Sequence, residues 1–169
     1  ARLYGIIGDY YTAERLLRQT RRIYWWMRAR DISQQSKSVE NLAFLYIRIG
    51  EYADTEQLLK KSIAKKEEKY GKDSRKLVNL LNQLSQLYLI TGKYAEAEKL
   101  AVRASAISKK VYGENTIRYA ESIAVLAELY LAIGDYQKAE ENIQEVIKIR
   151  KAKLGENHIT MASAYTNLA

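Results

Sequence analysis

The chain has 169 residues, of which 47% are hydrophobic and 28% charged, and its net charge is +8; this is the make-up of a globular protein, not of a disordered or fibrous one. It has no cysteine, which excludes disulfides and thiolate metal sites, and no apolar run near the ~18 residues that a membrane span needs. No secretory signal is visible, so the expectation is a cytoplasmic, membrane-free protein.

The absence of proline removes the strongest helix breaker and leaves glycine and Asx residues to punctuate the chain. That punctuation is periodic. Gly-x-Tyr occurs as Gly8-Asp9-Tyr10, Gly50-Glu51-Tyr52, Gly92-Lys93-Tyr94 and Gly134-Asp135-Tyr136, each 42 residues after the last. Gly71, Gly113 and Gly155 keep the same step, as do Tyr46, Tyr88 and Tyr130. Self-similarity at this period marks a stacked repeat architecture. The expected organisation is one array over 1–169: a partial repeat 1–31, repeats 32–73, 74–115 and 116–157, and a partial repeat 158–169. Thr166-Asn167-Leu168-Ala169 matches Glu40-Asn41-Leu42-Ala43 and then stops, which reads as a fragment of a longer array without end caps.

In chain order, each repeat reads as two helices. Tyr10, Ala13, Leu16 and Leu17 begin the stripe of a second helix. Val39, Leu42, Ala43, Leu45, Tyr46 and Ile49 form a first-helix stripe, followed by Tyr52, Leu58, Leu59 and Ile63 in its partner. The clearest copy has a first helix over 74–91, with Leu77, Leu80, Leu81, Leu84, Leu87, Tyr88 and Ile90, and a second over 94–112, with Tyr94, Ala97, Leu100, Ala101, Ala104, Ile107 and Val111. The last full copy has Ile123, Leu126, Ala127, Leu129, Tyr130 and Ile133, then Tyr136, Ala139, Ile143, Val146 and Ile147. Steps of three and four put each set on one helical face. Gly92 and Gly113 end helices, and Asn115, with Asp73 and Asn157 at matching positions, is the expected N-cap. No segment alternates with period two. The fold class is therefore all-α, built from antiparallel helix pairs without strands.

The pattern Asn41-Leu42-Ala43-x-x-Tyr46-x-x-x-Gly50-x-Tyr52, with Ala97 or Ala139 five residues after its glycine, resembles the tetratricopeptide repeat (TPR) family in its 42-residue, kinesin-light-chain-like form. Leu154-Gly155-Glu156-Asn157-His158 is similar to the family's Leu-Gly-x-x-His-Pro junction. The junction proline is replaced by Arg75, Ile117 and Ile159, and the first junction, Ala29-Arg30-Asp31-Ile32, lacks the glycine. The resemblance implies a right-handed superhelical solenoid that acts as a non-catalytic protein-protein interaction scaffold. It also implies that the first helix of each pair lines a concave, peptide-binding groove.

On that reading the groove candidates are Lys37, Glu40, Asn41, Phe44 and Arg48; Asn79, Asn82, Gln83 and Gln86; Glu121, Val125 and Glu128; and Ser163, Thr166 and Asn167. A carboxamide offers both donor and acceptor, so it can pair with the peptide group of an extended ligand. The net charge first suggests nucleic acid. However, most basic residues, among them Lys60, Lys61, Lys65, Lys66, Lys99, Arg103, Lys109, Lys110, Lys148, Arg150, Lys151 and Lys153, lie in second helices and junctions, interleaved with Glu67, Glu68, Glu96 and Glu145. A mixed-sign face is usually solvated, so protein or peptide is favoured over nucleic acid as the partner. The alternative function is a regulatory or sensor array of a larger enzyme, a protease, kinase or nucleotide-dependent switch, outside this fragment. End-to-end self-association through uncapped Leu154, Ile159, Met161, Tyr165 and Leu168 is a further expectation.

Trp25 and Trp26 occupy the places of Glu67 and Glu68, Lys109 and Lys110, and Lys151 and Ala152. They read either as a secondary interface or as cover for the irregular first junction. His158 is the only histidine, and alone it makes no recognisable zinc site. No catalytic constellation, phosphate loop or cofactor motif is present.

Overall fold

The computed structural model describes residues 52–155, together with Thr12, Arg15, 39–41, Ala43, Phe44, Ile47 and Gly50. Its elements are α1 (Tyr52–Tyr70), a 3-10 turn (Arg75–Leu77), α2 (Val78–Ile90), α3 (Tyr94–Tyr112), α4 (Ile117–Ile133) and α5 (Tyr136–Leu154). Val39, Glu40, Asn41, Ala43, Phe44 and Ile47 are also helical. There is no strand among the described residues. The chain forms two compact units, Ala1–Lys65 and Lys66–Ala169, divided within α1. In the first, Ala43, Thr55, Leu59 and Ile63 are buried.

In the second unit α2 packs on α3, α3 on α4, and α4 on α5, while α2 also touches α4. The turns between partners are tight because the helices close in Schellman fashion. Asp135 N–H donates to the Tyr130 carbonyl (2.9 Å) and Gly134 N–H to that of Leu131 (3.2 Å), satisfying carbonyls that the helix end would otherwise orphan. Gly134 sits at φ 80°, ψ 13°, the left-handed region where a Cβ is penalised. Gly113, at φ 88°, ψ 158°, adopts a conformation that is essentially glycine-only.

α3 is the centre of this unit. Ala97, Ala101 and Ala104 have no exposed surface, and Ala101 packs with Val125, Leu126, Tyr130 and Ala139. A second cluster joins Tyr119, Ala120 and Ile123 of α4 to Val146 and Ile149 of α5. Inside the first pair, the buried Ser85 hydroxyl donates to the Ala97 carbonyl at 2.8 Å. Between repeats, Tyr130 donates to Glu98 (3.0 Å). Arg103 bridges Glu67 (2.6 Å) and donates to the Lys72 carbonyl (2.7 Å), and Lys110 pairs with Asp73 (2.8 Å).

The junctions that lack proline carry a recurring substitute. Lys76 stands 3.5 Å from the Tyr70 ring centroid, and 42 residues on Arg118 stands 5.2 Å from that of Tyr112. A cation over an aromatic face stabilises each corner. Hydrogen bonding from Lys76 also holds the Tyr70 hydroxyl below its usual range.

Several expectations are corrected. The N-caps are Ser74 and Thr116, not Asp73 and Asn115: Ser74 accepts from Lys76 N–H (3.4 Å) and Thr116 from Tyr119 N–H (3.3 Å). The next residue thus supplies the hydroxyl, and the first turn after Ser74 tightens to 3-10. Ile90, Tyr94, Val111, Ile133 and Tyr136, assigned to core stripes, are exposed, Tyr136 by 71%. All lie in the terminal turns of their helices. Lys66, assigned to the solvated face, is buried; its ammonium donates to the Lys76 carbonyl (2.8 Å), while its aliphatic stem packs inward. Trp25 and Trp26 lie outside the described residues. Of the places they take in the repeat, those at 67, 109 and 110 hold ion pairs rather than bare solvated groups.

Three stability predictions follow from this fold. Leu87→Ala, at a core position 1% exposed, is expected to cost about 2–5 kcal/mol in denaturant unfolding, whereas Ser85→Ala, which removes one hydrogen bond and leaves the alanine found at positions 43 and 127, is expected to cost about 1 kcal/mol. Gly134→Ala, with nothing within 4 Å of the new Cβ, is expected to cost about 1–2 kcal/mol from backbone conformation alone, read as a lowered Tm.

Candidate functional site

The candidate face is the side of α2 and α4 not packed on their second-helix partners. α2, with sequence VNLLNQLSQLYLI, contains no charged residue. Its Val78, Leu80, Leu81, Leu84 and Leu87 are buried, so helical periodicity leaves the carboxamides to the other side. Asn79 is exposed, and Asn82, Gln83 and Gln86 are half-buried.

Those amides are not simple solvated side chains. Asn82 Nδ2 donates to Ser122 Oγ on α4 (3.3 Å), and Ser122 Oγ in turn donates to the Arg118 carbonyl (3.3 Å). Asn82 Oδ1 is buried without a hydrogen-bond partner among the described residues. One helical turn further along α2, the Gln86 amide lies near enough to the Glu128 carboxyl to favour its charged form. Glu128 keeps a solvent-open edge, yet the protein surrounds it closely enough that loss of water raises its carboxyl above the usual carboxylate range; Gln86 and Arg150 oppose that rise. Glu121 lies two turns before Glu128 on α4 and is exposed.

The structure therefore brings Asn82, Gln86 and Glu128 together across α2 and α4. Val125 is different. It is 6% exposed and belongs to the core cluster with Ala101 and Tyr130, so it is not part of the exposed face. The reason is that α4 buries nearly every residue from Tyr119 to Tyr130, a wider apolar sector than that of α2. Glu40 is half-buried, and Asn41 and Phe44 are exposed; they belong to the first unit. Lys37, Arg48, Ser163, Thr166, Asn167 and His158 lie outside the described residues.

Two contributors escaped the sequence reading. Ser122 stands where the 42-residue step places the buried Leu80; a hydroxyl in a leucine's register position was the available signal. The charge of Arg150 on α5 acts on Glu128, and the sequence offered no sign of it. Among the described residues, no three His, Cys, Asp or Glu side chains group as metal ligands, and no helix is long and apolar enough to cross a membrane.

A family model for the tetratricopeptide repeat matches residues 34–110 and again 78–152. Among curated proteins, no match is found. Among solved structures, BtubC (BKLC) from P. vanneervenii superposes with a TM-score of 0.79 at 22% identity, covering 98% of this chain and 66% of that one. Nearly identical TPR-like repeats from a Podosopora anserina chain assigned as a kinesin light chain superpose with a TM-score of 0.76 at 24% identity, covering 99% of this chain and 79% of that one. A point variant of the same protein gives 0.77 at 24% identity with the same coverage. The chain thus spans 66% of the BtubC chain, and these likenesses concern the fold. With the repeat register matched over two overlapping stretches and the stacked helix pairs in place, the chain belongs to the tetratricopeptide repeat family.

Proposed function

We propose that this chain is a single-array, non-catalytic scaffold that holds a peptide or partner segment against the exposed side of its first helices. One observation carries the reading. α2 and α4 lie side by side and touch, and what they leave uncovered is a polar surface of amides and carboxylates that runs from one repeat to the next. Carboxamides suit the alternating donors and acceptors of an extended backbone. A preformed surface of this kind reduces the ordering cost of association on the protein side. The mixed-sign ion pairs of the second helices and junctions, Arg103–Glu67 and Lys110–Asp73, favour protein over nucleic acid, because those cations already have anionic partners.

The test is affinity capture from source-cell lysate at low and high salt, comparing the native chain with an Asn79→Lys/Glu121→Lys variant. Both positions are exposed, so the substitutions are expected to leave the fold intact, within about 0.5 kcal/mol per site. Partners retained in salt but lost with the variant are the expected result. Partners indifferent to the variant and lost in salt would place binding on the basic second-helix side, where a steep salt dependence signals nucleic acid.

A further inference from the structure

We infer that the face shared by α2 and α4 takes an extended segment carrying at least two lysine or arginine side chains. This rests on the scaffold reading above and names the ligand chemistry. The inference runs against the charge of the whole molecule. The chain carries +8, yet α2 contributes no charge at all to this face. The one basic residue of α4, Arg118, is in its first turn with its guanidinium over the Tyr112 ring. What projects from the middle of α4 is acidic: Glu121 and Glu128, both exposed.

The two carboxylates differ usefully. Glu121 has no ion pair among the described residues. Glu128 is crowded by protein, with only the neutral Gln86 amide and the more distant Arg150 to offset lost water. A carboxylate held this way is an unfavourable charge in the free protein, and an arriving cation relieves it. The two lie seven residues apart on one helix, about 10 Å along its axis. In an extended strand side chains on one side recur every second residue, about 7 Å apart, and the long stems of lysine or arginine span the remaining few ångströms. The neighbouring amides of α2 are placed to bond the backbone between them. An acidic segment would instead meet two carboxylates on this face.

The experiment is selection of a random peptide display library on the intact chain. It is run at physiological salt, which screens long-range attraction to the rest of the molecule, and selected peptides are re-tested on two variants. Glu121→Gln/Glu128→Gln removes both charges; it is expected to fold, because the surroundings of Glu128 already disfavour its charged form, and circular dichroism melting checks this. Asn79→Lys/Glu121→Lys obstructs the whole face. The expected result is enrichment of lysine and arginine among binders, with affinity falling about tenfold on the glutamine variant. Binders that are not enriched in basic residues, or that ignore the glutamine variant, overturn the inference, as does a selection that yields none. If such non-basic binders are still lost on the obstructed variant, the scaffold reading stands without its basic ligand. If they ignore both variants, that reading falls as well.

Discussion

The close approach of helices at α3 is the constraint on which the rest depends. Ala97, Ala101 and Ala104 present no side chain beyond Cβ and no exposed surface. Helices meet at axial distances of roughly 8–10 Å according to the side chains at the contact, and alanine sets the near end of that range. α3 is therefore flanked tightly by α2 and α4, and those two first helices reach each other. Only then can Asn82 bond Ser122 and Gln86 stand near Glu128. The candidate surface is thus a product of packing on its opposite side. A repeat cannot bury its apolar face alone, and the way in which it borrows its neighbour's decides what is left exposed.

Polarity is partitioned accordingly. Toward the second helices and junctions, charges of both signs meet across repeats, as in Arg103 with Glu67 and Lys110 with Asp73. The Arg103 contact is the stronger anchor, because the same guanidinium also holds the Lys72 carbonyl, whereas the Lys110 pair is mostly exposed and worth little by itself. Toward the first helices the surface is carboxamide and carboxylate, with the ionic groups sparse. A net charge of +8 describes neither side.

Much of this was legible in the sequence because the repeat supplies several aligned readings of one pattern. The 42-residue step fixed helix type, pairing and turn positions, and the expected span of α3, 94–112, is the observed one. Periodicity was less reliable at helix ends: Tyr94 and Tyr136 keep the three-and-four spacing but, as the first residues of their helices, are exposed. It also could not tell Val125 from Gln83. The two share a register position, yet one is buried and the other half-buried, since the width of a buried sector depends on what packs against it. Cap choice failed by one residue, because Ser74 and Thr116 compete with Asp73 and Asn115 as side-chain acceptors and geometry decides. The Lys66 bond to the Lys76 carbonyl and the effect of the Arg150 charge on Glu128 depend on where long side chains end, and no spacing encodes that.

The most direct test of this account is equilibrium unfolding of Ala101→Leu beside Ala106→Leu. Both are on α3, but Ala101 is fully buried against the Val125 and Tyr130 cluster while Ala106 is exposed. If close packing at α3 holds the repeats together, Ala101→Leu loses about 1–3 kcal/mol or more from overpacking, and Ala106→Leu stays within about 0.5 kcal/mol of the native chain. Equal stability of the two variants would contradict the account, because the helices would then have room that this packing denies them.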